Sequence, residues 1–585
     1  MMNRLKDKNI IIYGHGRYSK DFLYIFDELK ISLYIDDEAS EEAESYKVLG
    51  DMDKATYFVI ICKYDEKNAI QNLIELGLQR NLNFASATTF FPSLDFPIYE
   101  ISKQRNLYVW GTGNCAHIFG HKYLNFHPEI EIKGFIDSNE EKSGKTFFWR
   151  SVYPAKIALE DKNAFFVIST DDYYEEICDI LKKKGLIEGK DYIHYSNLLE
   201  NGNVSRFLRS TIYDAPKLDY VCRRPFEYAE INSAGRISPC PAIRGGVVHN
   251  QNTLFYNNFY DAWHSNLLKV LRLSAINGTY TFCDPVKCNY KRESPYRRLC
   301  LEELHAYFDH SSEYIEETAK KEYVSREHIF NEKNYEIKEL DYPKTLQCSF
   351  DKTCNLHCPS CRERVVANGE KKQEQLEKFS QRLKKEVFPN VKVVDLAGGG
   401  ELFASKIYKG LAFDQSVAEN KECIEIHSNG TLLTKENFQK ISDLYQCIKM
   451  VISMDGCEAK TMKKLRAGMN VKKWDENMRN LAVMREKGKI SYLSFNFVVQ
   501  KANYKEMPGF VKMCLGYNAD EIKFSPLLNW GTQRPEEFKE NSMIDDAGNA
   551  KPELLDVLKD DIFKRPEVKL FKWLSWGINN ETYNN

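Results

Sequence analysis

Long apolar runs are missing from this 585-residue chain. None approaches the roughly 18 residues that a membrane-spanning helix needs, so no membrane span is expected. An excess of one charge is missing too. Lys and Arg number 82 against 84 Asp and Glu, a formal net charge of −2, so no bulk basic field points to nucleic acid. The amino terminus, MMNRLKDKNIIIYGHG, has only a short apolar run before a strand-to-glycine turn. That is a poor secretory signal, and the expected location is cytoplasmic. No Ser/His/Asp order and no Walker loop appears, and no cysteine follows Cys514. Disorder of the whole chain is excluded by 43% hydrophobic and 28% charged residues.

What is present begins with 16 cysteines. In a cytoplasmic chain these are expected as metal ligands or core residues rather than disulfides. Cys62, Cys115 and Cys178 stand alone. A group runs from Cys222 to Cys300, and the tightest set is Cys354, Cys358 and Cys361. At about 100–200 residues per domain, the length fits about three to five units. The boundaries read as 1–98 and 99–203 for two α/β repeats, 204–335 for a cysteine-rich domain, 336–535 for a partial (β/α)6 barrel, and 536–585 for a carboxy-terminal extension.

Each α/β repeat opens with an apolar strand and a glycine pair, Gly14-His15-Gly16 and Gly111-Thr112-Gly113. Each second strand ends in an acid, Asp36 or Asp137. Strands alternating with helices predict parallel sheet. The glycine pair could admit a phosphate to a helix N-terminus and the acid could hold a ribose hydroxyl. The third glycine position carries Ser19 and Ala116, and the glycines equally suit tight turns with no nucleotide bound. The two segments resemble the Rossmann-like modules of surface-polysaccharide biosynthesis proteins, residues 105–199 more closely than 8–92.

In the middle region, Cys222, Cys240, Cys283 and Cys288 could together hold an iron–sulfur cluster or a zinc ion, or be buried free thiols. Gly235 supplies a turn near Cys240, and the Cys283–Cys288 pair lies in polar, proline-containing sequence. The layout resembles the SPASM/Twitch domain. That resemblance implies an auxiliary [4Fe-4S] cluster on these four cysteines, with Cys300 spare. Here the module precedes the catalytic region, whereas in the family it usually follows it.

The sequence TLQCSFDKTCNLHCPSC (345–361) gives a strand and then a loop with Cys354-x3-Cys358-x2-Cys361. Three thiolates so close can hold three irons of a cubane and leave the fourth open, which marks a catalytic site rather than a closed structural one. Cys348, within the strand, reads as core. Further strand candidates are 391–397, 423–428, 449–454, 492–499 and 521–527. The distinctive residues fall where these strands end, the side on which parallel barrels bind ligands. They are Gly398-Gly399-Gly400-Glu401, then Ser428-Asn429-Gly430, then Ser453-Met454-Asp455-Gly456. Of the histidines, His357 is expected to face solvent and His427 to be structural.

Residues 345–530 resemble the radical S-adenosylmethionine superfamily. CxxxCxxC matches its cluster motif, GGE at 399–401 its methionine-binding motif, and "SNGTLL" and "SMDG … KLRAG" the branch carrying SPASM or Twitch domains. Ser360 departs from the aromatic residue often found before the last cysteine. The resemblance implies a catalytic [4Fe-4S] cluster on Cys354, Cys358 and Cys361 that reductively cleaves S-adenosylmethionine. The resulting 5′-deoxyadenosyl radical abstracts a hydrogen atom from substrate. On the same basis Gly399 and Gly400 admit the methionine amino group and Glu401 anchors it. Arg466 and Ser453 take the carboxylate, and Ser428 and Asn429 the ribose. Singly, the glycines could be turns, Ser453 a helix cap and Arg466 a surface charge. A reductant such as flavodoxin or ferredoxin is implied. The substrate reads as a sugar nucleotide or surface-glycan precursor. The alternatives are a peptide matured by the enzyme, and a non-catalytic iron–sulfur or nucleotide-binding scaffold.

Overall fold

The computed structural model describes most of residues 5–570. The longer segments outside the described residues are 91–97, 121–129, 196–219, 241–253, 279–322 and 571–585. The chain is mixed α/β with several sheets, largely parallel.

Two of these sheets occupy the amino-terminal third. In the first, the strands Glu44–Ser45, Ile31–Asp36, Asn9–Tyr13, Tyr57–Ile61 and Phe84–Ser86 lie side by side in that order, all parallel. In the second, the order is Tyr192–His194, Ala164–Ile168, Asn106–Trp110, Gly134–Asp137, Arg150–Pro154 and Thr146–Phe147, with only the last pair antiparallel. The central strands Tyr57–Ile61 and Ala164–Ile168 are buried along their whole length, as sheet covered on both faces requires.

The first glycine of each pair answers a local demand. Gly14 and Gly111 have φ of +108° and +120°, and a Cβ there would sit 2.6 Å from the Cys62 carbonyl oxygen and 2.9 Å from that of Ser169. The chain crosses its neighbouring strand at these points, and only glycine fits. The acids read as ribose partners are already engaged. Lys63 lies 2.5 Å from Asp36, and Lys142 lies 3.2 Å from Asp137, which also accepts a hydrogen bond from Thr112.

The largest sheet carries the carboxy-terminal half. Its parallel strands are β1 (Tyr228–Ile231), β2 (Thr345–Cys348), β3 (Val393–Leu396), β4 (Cys423–Ser428), β5 (Ile448–Ser453), β6 (Tyr492–Val499), β7 (Glu521–Pro526) and β8 (Val568–Leu570), paired in that sequence. The short strand Ile237–Ser238 lies antiparallel outside β1. The sequence reading gave residues 204–335 to a separate domain. In the structure β1 extends the carboxy-terminal sheet, with Glu230 in register with Gln347.

One face of this sheet is apolar and lies under helices. On α1 (Glu370–Glu386), Leu376, Phe379 and Leu383 are buried, and Phe379 packs edge-on against Phe350. On α3 (Val471–Glu486), which follows the short helix α2 (Ala459–Leu465), Trp474, Met478 and Leu481 are buried. Phe510 of α4 (Met507–Gly516) meets Phe495 and Phe497. The helical spacing of these residues in sequence is therefore core spacing.

The sequence reading set disulfides aside. Cys423 at the start of β4 and Cys447 just before β5 are nevertheless joined as one, with Cα atoms 4.6 Å apart. Adjacent parallel strands bring the two thiols together across a separation of 24 residues. Cys348 is fully buried, as core.

Candidate functional site

The cysteine loop leaves β2 and folds back on itself, with Cys354 bridging to Val366. Cys354 and Cys358 are buried and Cys361 is exposed. Burial pushes both buried thiols up. Arg362 opposes this at Cys354, and Arg466 opposes it at Cys358. The three sulfurs lie within electrostatic reach of one another.

Each sulfur also faces an N–H donor. Asn429 Nδ2 lies 3.9 Å from Cys354 Sγ, Arg466 Nη1 lies 4.0 Å from Cys358 Sγ, and Arg362 Nη2 lies 3.3 Å from Cys361 Sγ. Such donors favour the thiolate over the thiol. Three sulfurs on one loop, each beside a donor and none in a disulfide, fit a metal cluster bound through thiolates.

The loop after β3 packs directly on the cysteine loop. A Cβ on Gly400 would fall 2.5 Å from the Asp351 carbonyl oxygen and 2.8 Å from that of Thr353, and one on Gly399 would fall 3.1 Å from that of Ser349. Glycine is thus required here by the chain's own backbone. Arg362 ties the two loops together, donating to the Lys352 carbonyl at 2.8 Å and the Gly399 carbonyl at 3.2 Å.

Glu401 is 1% exposed and braces the next loop. Ser428 Oγ donates to it at 2.8 Å and the Asn429 backbone N–H at 2.6 Å. Burial raises its pKa to about 6 against these hydrogen bonds. Asn429 and Ser428 are therefore committed within the chain. The Asn429 side chain also donates to Asn355 Oδ1 at 3.0 Å.

Arg466 follows α2 and is not a surface charge. It is 13% exposed, and its Nε lies 2.8 Å from Asp455, itself 1% exposed. Asp455 also accepts from the Val498 backbone N–H at 2.8 Å. Ser453 ends β5, half-buried. His357 was expected to face solvent but is half-buried, because its loop packs against Gly468. The His357 N–H donates to the Ala467 carbonyl at 3.1 Å, and a Cβ on Gly468 would lie 3.5 Å from His357 Nδ1.

Of the auxiliary ligands, Cys222 ends a strand, Tyr220–Cys222, that pairs antiparallel with Tyr323–Ser325. Cys240 follows the edge strand beside β1, where the hydroxyl of Ser238 donates to the Cys240 carbonyl at 2.7 Å. Cys283 and Cys288 lie outside the described residues.

The face of the large sheet opposite the helices is polar. Successive partners along one row are Glu230, Gln347, Asp395, Glu425, Lys449 and Tyr492. His427 projects from the same face, 3.2 Å from Asp395 and 3.6 Å from Glu425. Burial opposes its charge, but Asp395 first and then Glu425 outweigh that and raise its pKa to about 10.

Arg362 and Asn355 escaped the sequence reading, and Asp455 was read only as part of the SMDG segment at the end of β5, without its partner Arg466. Arg362 had a signal, its position next to the last cysteine. Asn355 had none, and the Asp455–Arg466 pairing could not be read, because the partners meet only in the fold.

No family model matches the chain, and no curated protein matches it. Solved structures do. SuiB of Streptococcus suis bound to precursor peptide SuiA is 17% identical over 45% of this chain and 54% of its own, with a TM-score of 0.30. The same protein bound to S-adenosylmethionine is 16% identical over 60% and 71%, also at 0.30. anSMEcpe with bound AdoMet and Cp18Cys peptide is 17% identical over 39% and 62%, at 0.28. The match spans about half the length of peptide-bound SuiB. The functional assignment therefore rests on this chain's own side chains. No helix among the described residues is long and apolar enough to cross a membrane.

Proposed function

We propose that the chain is a radical S-adenosylmethionine enzyme whose catalytic [4Fe-4S] cluster is held by Cys354, Cys358 and Cys361. The observation that carries this reading is the set of three N–H donors, from three different elements, each facing one of the three sulfurs. When bound, the cluster supplies one electron for reductive cleavage of S-adenosylmethionine, leading to hydrogen-atom abstraction from substrate.

The protein's part is positioning and exclusion of water. Arg362 clamps the cysteine loop to the glycine loop. Glu401 fixes the Ser428–Asn429 turn and so aims Asn429 at Cys354. Arg466, held at Nε by Asp455, turns its remaining N–H groups to the methionine carboxylate beside Ser453. The backbone of Gly399 and Gly400 lines the path of the amino group, and the Ser428–Asn429 turn lies toward the ribose. The sheet is read as a partial barrel with its polar face inward, and the amino-terminal sheets as Rossmann-like repeats. An auxiliary cluster on Cys222, Cys240, Cys283 and Cys288 completes the assignment.

The substrate is a small polar molecule, a sugar nucleotide or glycan precursor. Support comes from the row of charged and hydrogen-bonding side chains on the polar face, which suits hydroxyl-rich ligands better than an apolar peptide side chain.

Anaerobic reconstitution, iron counting and a cleavage assay test this reading. The wild-type protein is expected to form 5′-deoxyadenosine under reduction. Cys358→Ala is expected to form none while the amino-terminal sheets stay folded. Undiminished cleavage by the variant, or zinc in place of iron, overturns the assignment.

A further inference from the structure

Reductive cleavage needs an electron from outside, and two of the three cluster sulfurs are buried. One stretch of surface stands against the cysteine loop and is rich in lysine. The chain as a whole is nearly neutral. Between residues 458 and 476, however, five exposed lysines stand against Glu458, Asp475 and Glu476, with Arg466 already paired to Asp455. Lys460, Lys463 and Lys464 lie one helical turn apart on α2, and Lys472 and Lys473 in the first turn of α3. All five are exposed, and none forms an ion pair among the described residues.

Helix stability does not account for them. Lys472 and Lys473 sit at the positive end of a 16-residue helix, where the macrodipole disfavours cations. The helix end and the lysines instead add to one outward positive field.

The centre of the patch is apolar. A groove of about 770 Å³ is lined by Met462, Met469, Val471 and Trp474, with Lys463, Lys472 and Asp475 also on its wall. An apolar centre with a charged rim is the anatomy of a protein interface. The groove also reaches the cluster loop. Gly468, in its lining, is the residue that packs on Asn355, Leu356 and His357. Two residues before it, Arg466 lies 4.0 Å from Cys358 Sγ.

We infer that the surface formed by α2, the 466–470 turn and the start of α3 docks an acidic one-electron carrier protein. It then delivers the electron to the cluster through the 355–358 side of the cysteine loop. One electron leaves the reduced carrier and enters the cluster, with no bond made or broken and no proton moved. The inference rests on the proposed cluster. It adds where the reductant binds and by what force.

The test uses the full reconstituted chain, reduced flavodoxin as the acidic carrier, and dithionite as a small reductant that needs no docking surface. The variant is Lys463→Glu, Lys464→Glu and Lys472→Glu together. All three side chains are exposed, and a matching Lys→Gln triple variant controls for folding. Bleaching of the cluster by flavodoxin is expected to slow at least about tenfold in the Glu variant, less in the Gln variant, and in the wild type as salt rises. Bleaching by dithionite is expected to be unchanged. Calorimetry with oxidised flavodoxin is expected to show binding to the wild type that the Glu variant loses. Equal flavodoxin rates in wild type and Glu variant, salt-independent reduction, or a wild type reduced by dithionite but not by flavodoxin each overturn the docking surface. A wild type with no dithionite-reducible cluster overturns the underlying function and the docking surface with it.

Discussion

Arg466 and Asp455 form a buried ion pair, Nε to carboxylate 2.8 Å, whose arginine also faces Cys358. Asp455→Asn removes the carboxylate and leaves a guanidinium 13% exposed without its counter-ion. Breaking one side of a buried pair costs about 3–5 kcal/mol. Urea unfolding of the carboxy-terminal half is expected to show a loss of that size in the variant. A loss below about 1 kcal/mol counts against the pair as a structural anchor.

Glu401 gives stability a pH signature. Its pKa is raised in the folded chain, from 4.5 to about 6, so between these values the folded state binds more protons than the unfolded. This group's contribution therefore falls as pH rises from about 4.5 to about 6 and is flat above. Glu401→Gln cannot titrate, and the wild-type-minus-variant stability difference is expected to drop across that window. A flat difference from pH 4 to 8 refutes the brace as described.

His427 has a window of the same sign at higher pH. Its pKa is raised from 6.5 to about 10 by Asp395 and Glu425, so its contribution is complete below 6.5 and lost as pH climbs toward 10. At pH 7, His427→Gln is expected to cost about 3 kcal/mol, the low end for a buried pair because the ring is 28% exposed. The deficit should shrink by pH 10. Unfolding measured at both pH values checks this.

Gly400→Ala probes the contact between the two loops. The added methyl meets two backbone carbonyl oxygens, which cannot rotate away, and overpacking of this kind costs about 1–3 kcal/mol. Iron retention is expected to fall with stability. Gly16→Ala, where a Cβ meets nothing within 4 Å, is the control and is expected to retain iron.

Cys240→Ala tests the auxiliary cluster separately. Loss of about four irons per chain is expected, with the cluster at residues 354–361 retained. Unchanged iron content removes Cys240 from the ligand set.

The three-cysteine loop was legible in the sequence because chain connectivity alone confines it. Cys361 lies seven positions after Cys354, and each step spans at most about 3.3–3.6 Å. The alternation of strands with helices was legible for the same local reason, and so were the buried positions Leu376, Phe379, Trp474 and Met478. No local rule joins Arg466 to Cys358 across 108 residues, or Asn429 to Cys354 across 75. None adds β1 to the edge of β2, or sets Cys423 beside Cys447. Those relationships follow from the order and register of parallel strands. The sequence therefore determined which atoms are available to bind a metal. Only packing between remote segments decided which N–H faces which sulfur, that Glu401 braces a turn, and that the lysines of α2 and α3 share one surface beside the loop.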